Sequence, residues 1–261
     1  MRVLFIGDIV GKAGRKYLNQ YLAEYKISQR FDYVIANGEN AAGGAGITEK
    51  VFHELRTAGV DVVTGGNHIW DQKEIFNFID REPSLLRPAN YPLETTPGRG
   101  SIVVGNSNKK PRLAVINLIG RVFMKPVDCP FRAADREILA LNGKAEIIIV
   151  DFHAEATSEK QALGWYLDGQ VGAVVGTHSH VQTADERLLT NNTAYISDVG
   201  MVGLYDSILG VDKEGPLKRF LTQMPHKLSI TDGRILFSAV AIEFDIANNL
   251  ATSIERIYKI N

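Results

Sequence analysis

Five short apolar segments, each followed by side chains that can bind a metal, constrain the fold of this chain more than any other feature. The last of them, residues 170–175, leads into Gly176-Thr177-His178-Ser179-His180. The four earlier segments end in Asp8, in Glu39-Asn40, in Asn67-His68 and in His153. Ligands of open α/β sheets bind beyond the carboxyl ends of the strands. Since one sheet edge brings such ends together, we expect these side chains to form a single cluster.

Each of these side chains also has a purely structural explanation. Asp8 could cap the following helix, Asn40 and Asn67 could hold turns, and His153 could be a hydrogen-bonded core residue. For any one side chain alone the structural explanation is the commoner one. It does not explain why four of the six histidines fall in this set. The joint occurrence therefore favours a functional site.

The order of predicted elements indicates an α/β protein. Apolar runs predict strands at residues 3–6, 33–36, 60–63, 146–150 and 170–175, and helical periodicity predicts helices at residues 12–28, 49–58, 71–80, 133–141 and 158–167. Hairpins are predicted at residues 102–104 with 113–116 (around a polar tip at 106–110), at 187–189 with 194–196, and at 235–245 with 251–258. A short helix is predicted at residues 217–224. We expect a mixed sheet system with helices outside, in a single domain over residues 1–261.

Composition and charge limit the classes of function. Apolar residues make up 45% and charged residues 23% of the chain, as in ordinary globular proteins. A formal net charge of −1 gives no reason to expect a membrane or an extended nucleic acid as partner. The single cysteine, Cys129, excludes an intramolecular disulfide, and the N-terminal apolar run is too short for a signal peptide. A cytoplasmic enzyme is the default expectation.

The ligand types in the cluster are carboxylates, amide oxygens and imidazoles, without a thiolate. This set suits manganese, iron or zinc, and it excludes an iron–sulfur cluster or a cysteine-type structural zinc site. Seven candidate ligands exceed what one metal with an open position would use. Two metals that share a bridging carboxylate fit better. The two remaining histidines, His53 and His226, are interpreted as solvent-facing or structural.

The same blocks, in this order, resemble the calcineurin-like metallophosphoesterases, and most closely their bacterial YmdB-like subfamily. They are Gly7-Asp8, Gly38-Glu39-Asn40, Gly66-Asn67-His68, His153 and Gly176-Thr177-His178-Ser179-His180. The wider superfamily usually has histidine at the position of Val10 and aspartate at the position of Glu39, and both departures are typical of the subfamily. The resemblance implies a four-layer α-β-β-α sandwich, in which helices flank two packed mixed sheets and a dinuclear site lies at the strand ends.

The resemblance also implies a role for each candidate ligand. The first metal would be held by Asp8, Glu39, Asn40 and His180, and the second by Glu39, Asn67, His153 and His178, so that Glu39 bridges. Iron or manganese is expected, with zinc as a further candidate. As a mechanistic hypothesis, a hydroxide that bridges the metals attacks phosphorus in line with the leaving oxygen. His68 would be the catalytic residue that gives this oxygen a proton.

The implied activity is phosphodiester hydrolysis, with 2′,3′-cyclic nucleotides as the leading substrate class. Three alternatives stay open: a dinuclear phosphomonoesterase or nucleotidase, a regulator that senses a metal or a nucleotide with little turnover, and action on RNA ends. The loop at residues 121–132 carries Arg121, Lys125 and Arg132, and it is either a lid over the site or a solvated loop. A homo-oligomer is compatible with the sequence.

Overall fold

Two mixed β-sheets pack face to face in a computed structural model, which describes residues 1–106 and 110–261. The first sheet has seven strands: β1 (Arg2–Ile6), β2 (Asp8–Ile9), β3 (Tyr33–Asn37), β4 (Val62–Thr64), β11 (Met201–Leu204), β12 (Ile235–Asp245) and β13 (Leu250–Ile260). The second has six: β5 (Ser101–Asn106), β6 (Lys110–Ile119), β7 (Ile147–His153), β8 (Ala173–Thr177), β9 (Arg187–Leu188) and β10 (Ala194–Ile196).

The strands that carry the candidate ligands run parallel to one another within each sheet. The first sheet has the order β2-β11-β12-β1-β3-β4, and β13 pairs antiparallel with β12 outside this order. In it, β1, β3 and β4 are parallel neighbours. The second sheet has the order β5-β6-β7-β8-β10-β9, in which β6, β7, β8 and β10 are parallel. Parallel neighbours end on the same side of a sheet, so each sheet gathers several ligand-bearing ends at one edge.

Helices cover the outer face of each sheet. These helices are α1 (Gly11–Ser28), α2 (Glu49–Ala58), α3 (Pro130–Leu141) and α4 (Thr157–Tyr166), whereas α5 (Glu214–Thr222) lines a cavity instead. The buried faces of α1 and α2 pack on the first sheet, and those of α3 and α4 pack on the second. The Thr48 hydroxyl caps α2 by accepting a hydrogen bond from the Val51 amide.

The alternation of side chains along β1 shows how one strand serves two interfaces. Leu4 and Ile6 face the helices α1 and α2, whereas Val3 and Phe5 face the opposite sheet. All four are completely buried. Because successive side chains of a strand point to opposite faces, a slip of one residue would exchange the two sets. This explains why the strand is apolar at every position from 3 to 6.

The predicted fold class, a four-layer sandwich of two mixed sheets between helices, is confirmed. The apolar cluster between the layers contains side chains of both sheets, as a single domain requires. The assignment of residues 1–261 to one domain stays a prediction.

The helix predicted at residues 71–80 is wrong. The segment forms two short 3-10 helices instead, Lys73–Asn77 and Ile79–Arg81. Its buried side chains are Ile75, Phe78 and Ile79, and the three-residue step from Ile75 to Phe78 is one that a 3-10 helix serves as well as an α-helix. The three predicted hairpins are present, but residues 107–109 of the tip predicted at 106–110 lie outside the described residues.

Within residues 1–106 and 110–261, no helix has both the length and the apolar character that crossing a membrane requires.

Candidate metal centre

The seven candidate ligands meet where the carboxyl ends of both sheets adjoin. Asp8 begins β2, Glu39 and Asn40 follow β3, and Asn67 follows β4, all in the first sheet; His153 ends β7, and His178 and His180 follow β8, in the second sheet. The expectation that one sheet edge gathers all five ends is therefore wrong. Face-to-face packing of two sheets brings the two edges together, and spacing along the chain does not reveal this.

One half of the cluster is centred on the buried imidazole of His153. Its Nε2 atom lies 3.0 Å from Glu39 Oε1, 3.0 Å from Asn67 Oδ1 and 3.0 Å from His178 Nδ1. Three of these side chains, Glu39, His153 and His178, have ligand atoms close enough together to hold one metal ion. This half corresponds to the implied second metal position.

The other half is centred on Asn40. Its Nδ2 atom lies 3.4 Å from Asp8 Oδ1, 3.2 Å from Glu39 Oε1 and 3.1 Å from His180 Nε2. Thus an amide donor faces two carboxylates and an imidazole. An amide binds metals through its oxygen, so Asn40 would have to turn its Oδ1 to this point in order to act as a ligand.

A hydrogen-bond chain behind His153 fixes which of its nitrogens faces the cluster. The Thr177 hydroxyl donates to Asp151 Oδ1 at 2.8 Å, so it accepts the hydrogen bond from His153 Nδ1 at 2.9 Å. The Nε2 atom of a neutral His153 then presents a lone pair to the oxygens of Glu39 and Asn67, which are also acceptors. Such a set of facing acceptors fits a metal cation, and orientation through the distal nitrogen is usual for ligating histidines.

The electrostatics of the cluster favour positive charge. Burial by itself disfavours the charged imidazolium, yet the carboxylates of Glu39, Asp8 and Asp151 raise the pKa of His153 to about 9. Against the opposing effect of burial, His153 lowers the pKa of Glu39 to about 2. Burial raises the pKa of Asp8. A proton or a metal ion at this point relieves the repulsion between two buried carboxylates.

The loop that carries His178 and His180 has a strained backbone, and a buried carboxylate holds it in place. Both histidines have positive φ angles, 109° and 64°, which residues other than glycine rarely adopt. A buried carboxylate, Asp198, accepts hydrogen bonds from the Ser179 amide at 2.9 Å and from Lys160 Nζ at 2.7 Å. Strain of this kind persists only where the surrounding structure enforces it, and it concentrates at functional sites.

Gly66 allows the two sheets to approach at the cluster. A Cβ atom at this position would lie 2.2 Å from Glu39 Oε2 and 2.4 Å from His153 Nε2. Any side chain here would displace both candidate ligands. The glycine of the Gly66-Asn67-His68 block is therefore explained by close packing rather than by a turn conformation.

His68 lies at the rim of the cluster. Unlike the seven candidate ligands, it contacts the cluster through its backbone rather than through its side chain. Its backbone amide donates to Glu39 Oε2 at 3.0 Å, and its Nδ1 atom lies 2.6 Å from Asp71 Oδ2. The side chain is partly exposed and lines the cavity above the cluster. Contact with Asp71 leaves Nε2 as the nitrogen available to a substrate.

Comparison with known proteins decides the family. A family model described as YmdB-like protein matches residues 4–257. The chain belongs to the YmdB-like family.

Similar proteins cover almost the whole of this YmdB-like chain. It is 52% identical to the 2′,3′-cyclic-nucleotide 2′-phosphodiesterase of Bacillus subtilis (strain 168), over 98% of this chain and 96% of that protein. The crystal structure of a hypothetical protein from Thermus thermophilus is similar with a TM-score of 0.92 at 42% identity, covering 100% of this chain and 99% of that one. A novel phosphatase from Mycoplasma pneumoniae has a TM-score of 0.92 at 33% identity, covering 100% and 93%.

Two predictions are confirmed by these similarities. The resemblance to the YmdB-like metallophosphoesterases is a true family relationship, and the prediction of an enzyme of phosphoester hydrolysis holds at the level of the family. The roles of the individual residues stay predictions.

Sequence reasoning missed the buried polar residues behind the candidate ligands in this YmdB-like protein. Asn37, Asp151 and Thr177 are completely buried, and each lies in a strand that leads to a candidate ligand. Asn37 Oδ1 accepts a hydrogen bond from the Glu39 amide at 3.1 Å. Burial raises the pKa of Asp151 to about 7. A signal was present, since Asp151 interrupts an apolar strand two residues before His153, on the same face.

The two histidines outside the set lie apart from the cluster. His53 Nε2 is 3.6 Å from Glu82 Oε1, and together with Glu49 they form a second, more exposed group of potential ligands. His226 is partly exposed, and its carbonyl accepts hydrogen bonds from Arg219. The interpretation of both as solvent-facing or structural agrees with these positions.

A cavity of about 910 Å³ opens above the cluster. Its polar floor includes the candidate ligands Glu39, Asn40, His178 and His180, and one wall is apolar. Among the residues that the structure describes, none of residues 121–132 lines it. Arg121 instead directs its guanidinium to Cys129, at 3.6 Å from the sulfur. The choice between a lid and a solvated loop for this segment stays untested.

Proposed function

We propose that this YmdB-like protein hydrolyses phosphodiesters of 2′,3′-cyclic nucleotides with the help of two metal ions, iron or manganese. The convergence of seven oxygen and nitrogen ligands from two sheet edges carries the proposal. One set of ligands, Glu39, Asn67, His153 and His178, would hold one ion, and a second set, Asp8, Glu39, Asn40 and His180, the other. The name of the Bacillus subtilis relative, at 52% identity, supports the substrate class.

When bound, the two metals would lower the pKa of a water molecule and neutralise charge on the phosphoryl oxygens. The protein contributes the geometry for this. Glu39 is placed between the two halves of the cluster, with its Oε1 atom 3.0 Å from His153 Nε2 and 3.2 Å from Asn40 Nδ2. Only Asp8 and Glu39 bring formal negative charge to the ligand set, so two divalent ions leave an excess of positive charge that attracts a phosphate diester.

His68 is proposed to donate a proton to the leaving oxygen. It is partly exposed at the cavity, and Asp71 holds its ring through Nδ1 at 2.6 Å. Its backbone amide binds Glu39, which keeps the residue at a fixed distance from the ligands. For a 2′,3′-cyclic nucleotide, the proton would go to the ribose oxygen released when the ring opens.

The open cavity is compatible with a nucleotide substrate. Its volume of about 910 Å³ lies in the range of small-molecule sites. The strained five-membered ring of a 2′,3′-cyclic phosphate is compact, so its phosphorus can approach ligands at the floor. We propose a cytoplasmic location and leave homo-oligomer formation as an expectation.

Hydrolysis of a small panel of esters tests the proposed function. We expect the purified, metal-loaded protein to cleave 2′,3′-cyclic AMP and bis-p-nitrophenyl phosphate, and to lose both activities when a chelator removes the metals, because the ligand set is built for cations. Mono-p-nitrophenyl phosphate should be a poor substrate. Preferential cleavage of the monoester would establish the phosphomonoesterase alternative. Tight nucleotide binding with negligible turnover would establish the regulator.

A further inference from the structure

One wall of the cavity is apolar and takes no part in metal binding. Its main side chains are Ile208, Leu209, Phe220, Met224 and Leu228, which come from α5 and the loops on either side of it. Phe220 is 74% exposed and Met224 is 56% exposed, although both line a concave surface. Large apolar side chains that face water in a concave site are typical of ligand binding.

The wall is joined directly to the metal centre. The carbonyl oxygen of Leu209 accepts a hydrogen bond from His180 Nδ1 at 3.0 Å, while the Nε2 atom of the same ring lies 3.7 Å from Asp8 Oδ1. A candidate metal ligand therefore lies between the wall and the cluster. A molecule whose phosphate lies at the floor of the cavity has its remaining atoms within reach of this wall.

The wall is also preformed. The guanidinium of Arg219, on α5, donates to the carbonyl oxygen of His226 through Nε at 2.8 Å and through Nη2 at 2.5 Å. These bonds tie the loop that carries Met224 and Leu228 back to the helix. The side-chain Nε2 atom of Gln223 donates to the carbonyl oxygen of Phe220 at 3.0 Å. Rigid walls lose little conformational entropy on binding, which favours affinity.

We propose that this wall binds the nucleobase of the substrate and that the ring of Phe220 stacks on it. The inference rests on the proposed function, because the nucleotide supplies the base. Stacking is available to every base, and it increases with the area of the ring system. Arg219 and Gln223 each donate to a backbone carbonyl oxygen and the side chains of the wall itself are apolar, so stacking on Phe220 rather than hydrogen bonding to base edges governs recognition. We therefore expect broad base tolerance with a preference for purines.

Two alanine variants on the same helix test the inference. Phe220→Ala removes the ring that lines the cavity, whereas Leu221→Ala, the matched control, removes an 83% exposed neighbour that does not line it. We expect Phe220→Ala to raise KM for 2′,3′-cyclic AMP about tenfold, the loss typical of one base–aromatic stack. KM for glycerol 1,2-cyclic phosphate, which has no base, should not change. Leu221→Ala should resemble the unmodified protein with both substrates.

Equal effects of Phe220→Ala on both cyclic phosphates would overturn the inference, since the ring would then only support the fold of the site. An altered oligomeric state in size-exclusion chromatography, with KM for both substrates unchanged, would assign the wall to contact between copies of the chain and would also overturn it.

Binding of adenosine, followed by NMR, separates this inference from the proposed function. Adenosine carries no phosphate, so its binding does not depend on diester cleavage. If the protein cleaves no cyclic nucleotide but binds adenosine, and Phe220→Ala weakens that binding while Leu221→Ala does not, the proposed function fails and the base site stands. Absence of adenosine binding to the unmodified protein would overturn the base site.

Discussion

Replacing Glu39 with glutamine is expected to remove metal from the protein and to reduce cleavage of 2′,3′-cyclic AMP about 10³-fold or more. Loss of one electrostatic partner from an active site already costs about 10²- to 10³-fold in turnover, and Glu39 is proposed to serve both metals. The substitution keeps the shape of the side chain, which is buried with Oε1 3.0 Å from His153 Nε2. Metal content by mass spectrometry and initial rates with saturating metal are the measurements.

Glu82→Gln is the matched control for this substitution. Glu82 also lies beside a histidine, His53, at 3.6 Å, but in the second group of potential ligands, away from the cavity. We expect this variant to keep full metal content and full activity. If Glu39→Gln retained two metals and normal rates, Glu39 would not be the bridging ligand.

Replacing His68 with alanine is expected to lower turnover of 2′,3′-cyclic AMP by about 10²- to 10⁴-fold, the range for loss of a general acid or base. Metal content should stay near that of the unmodified protein, because the backbone amide of His68, rather than its ring, binds Glu39. The loss should be much smaller with bis-p-nitrophenyl phosphate, since p-nitrophenolate leaves without a proton.

The leaving group thus distinguishes an acid from a structural residue. Equal losses with both substrates would argue against proton donation, and loss of metal would make His68 a ligand or a support for one. His53→Ala is the control histidine variant, and it should change neither the metal content nor the rates.

The sequence predicted which side chains would cluster, but not how they meet. Apolar runs that end in Asp8, Asn67 or His153 are recognisable because a buried strand admits polar groups mainly at its end. Which sheet a strand joins depends on contacts between residues far apart in the chain. This is why a single sheet edge was expected where two edges meet, and why β11, a short buried strand paired with β2 and β12, was not predicted.

The supporting residues and the apolar wall show a second limit. Asp151 and Thr177 gain their role from a hydrogen bond between neighbouring strands, which local patterns do not reveal. The segment predicted as a helix at residues 217–224 has the apolar spacing of an ordinary core helix. In the structure residues 217–222 of it belong to α5, whose Phe220 faces the cavity rather than a core. Periodicity predicts an apolar face, but not what will cover it.

Counting the metals tests the central claim most directly. Purification with and without oxygen, followed by mass spectrometry of the metals and an assay of 2′,3′-cyclic AMP cleavage on the same samples, compares occupancy with activity. The account predicts about two ions per active chain, as in other two-metal sites, and activity that rises and falls with their number. Undiminished cleavage by protein from which a chelator has removed all metal would contradict it.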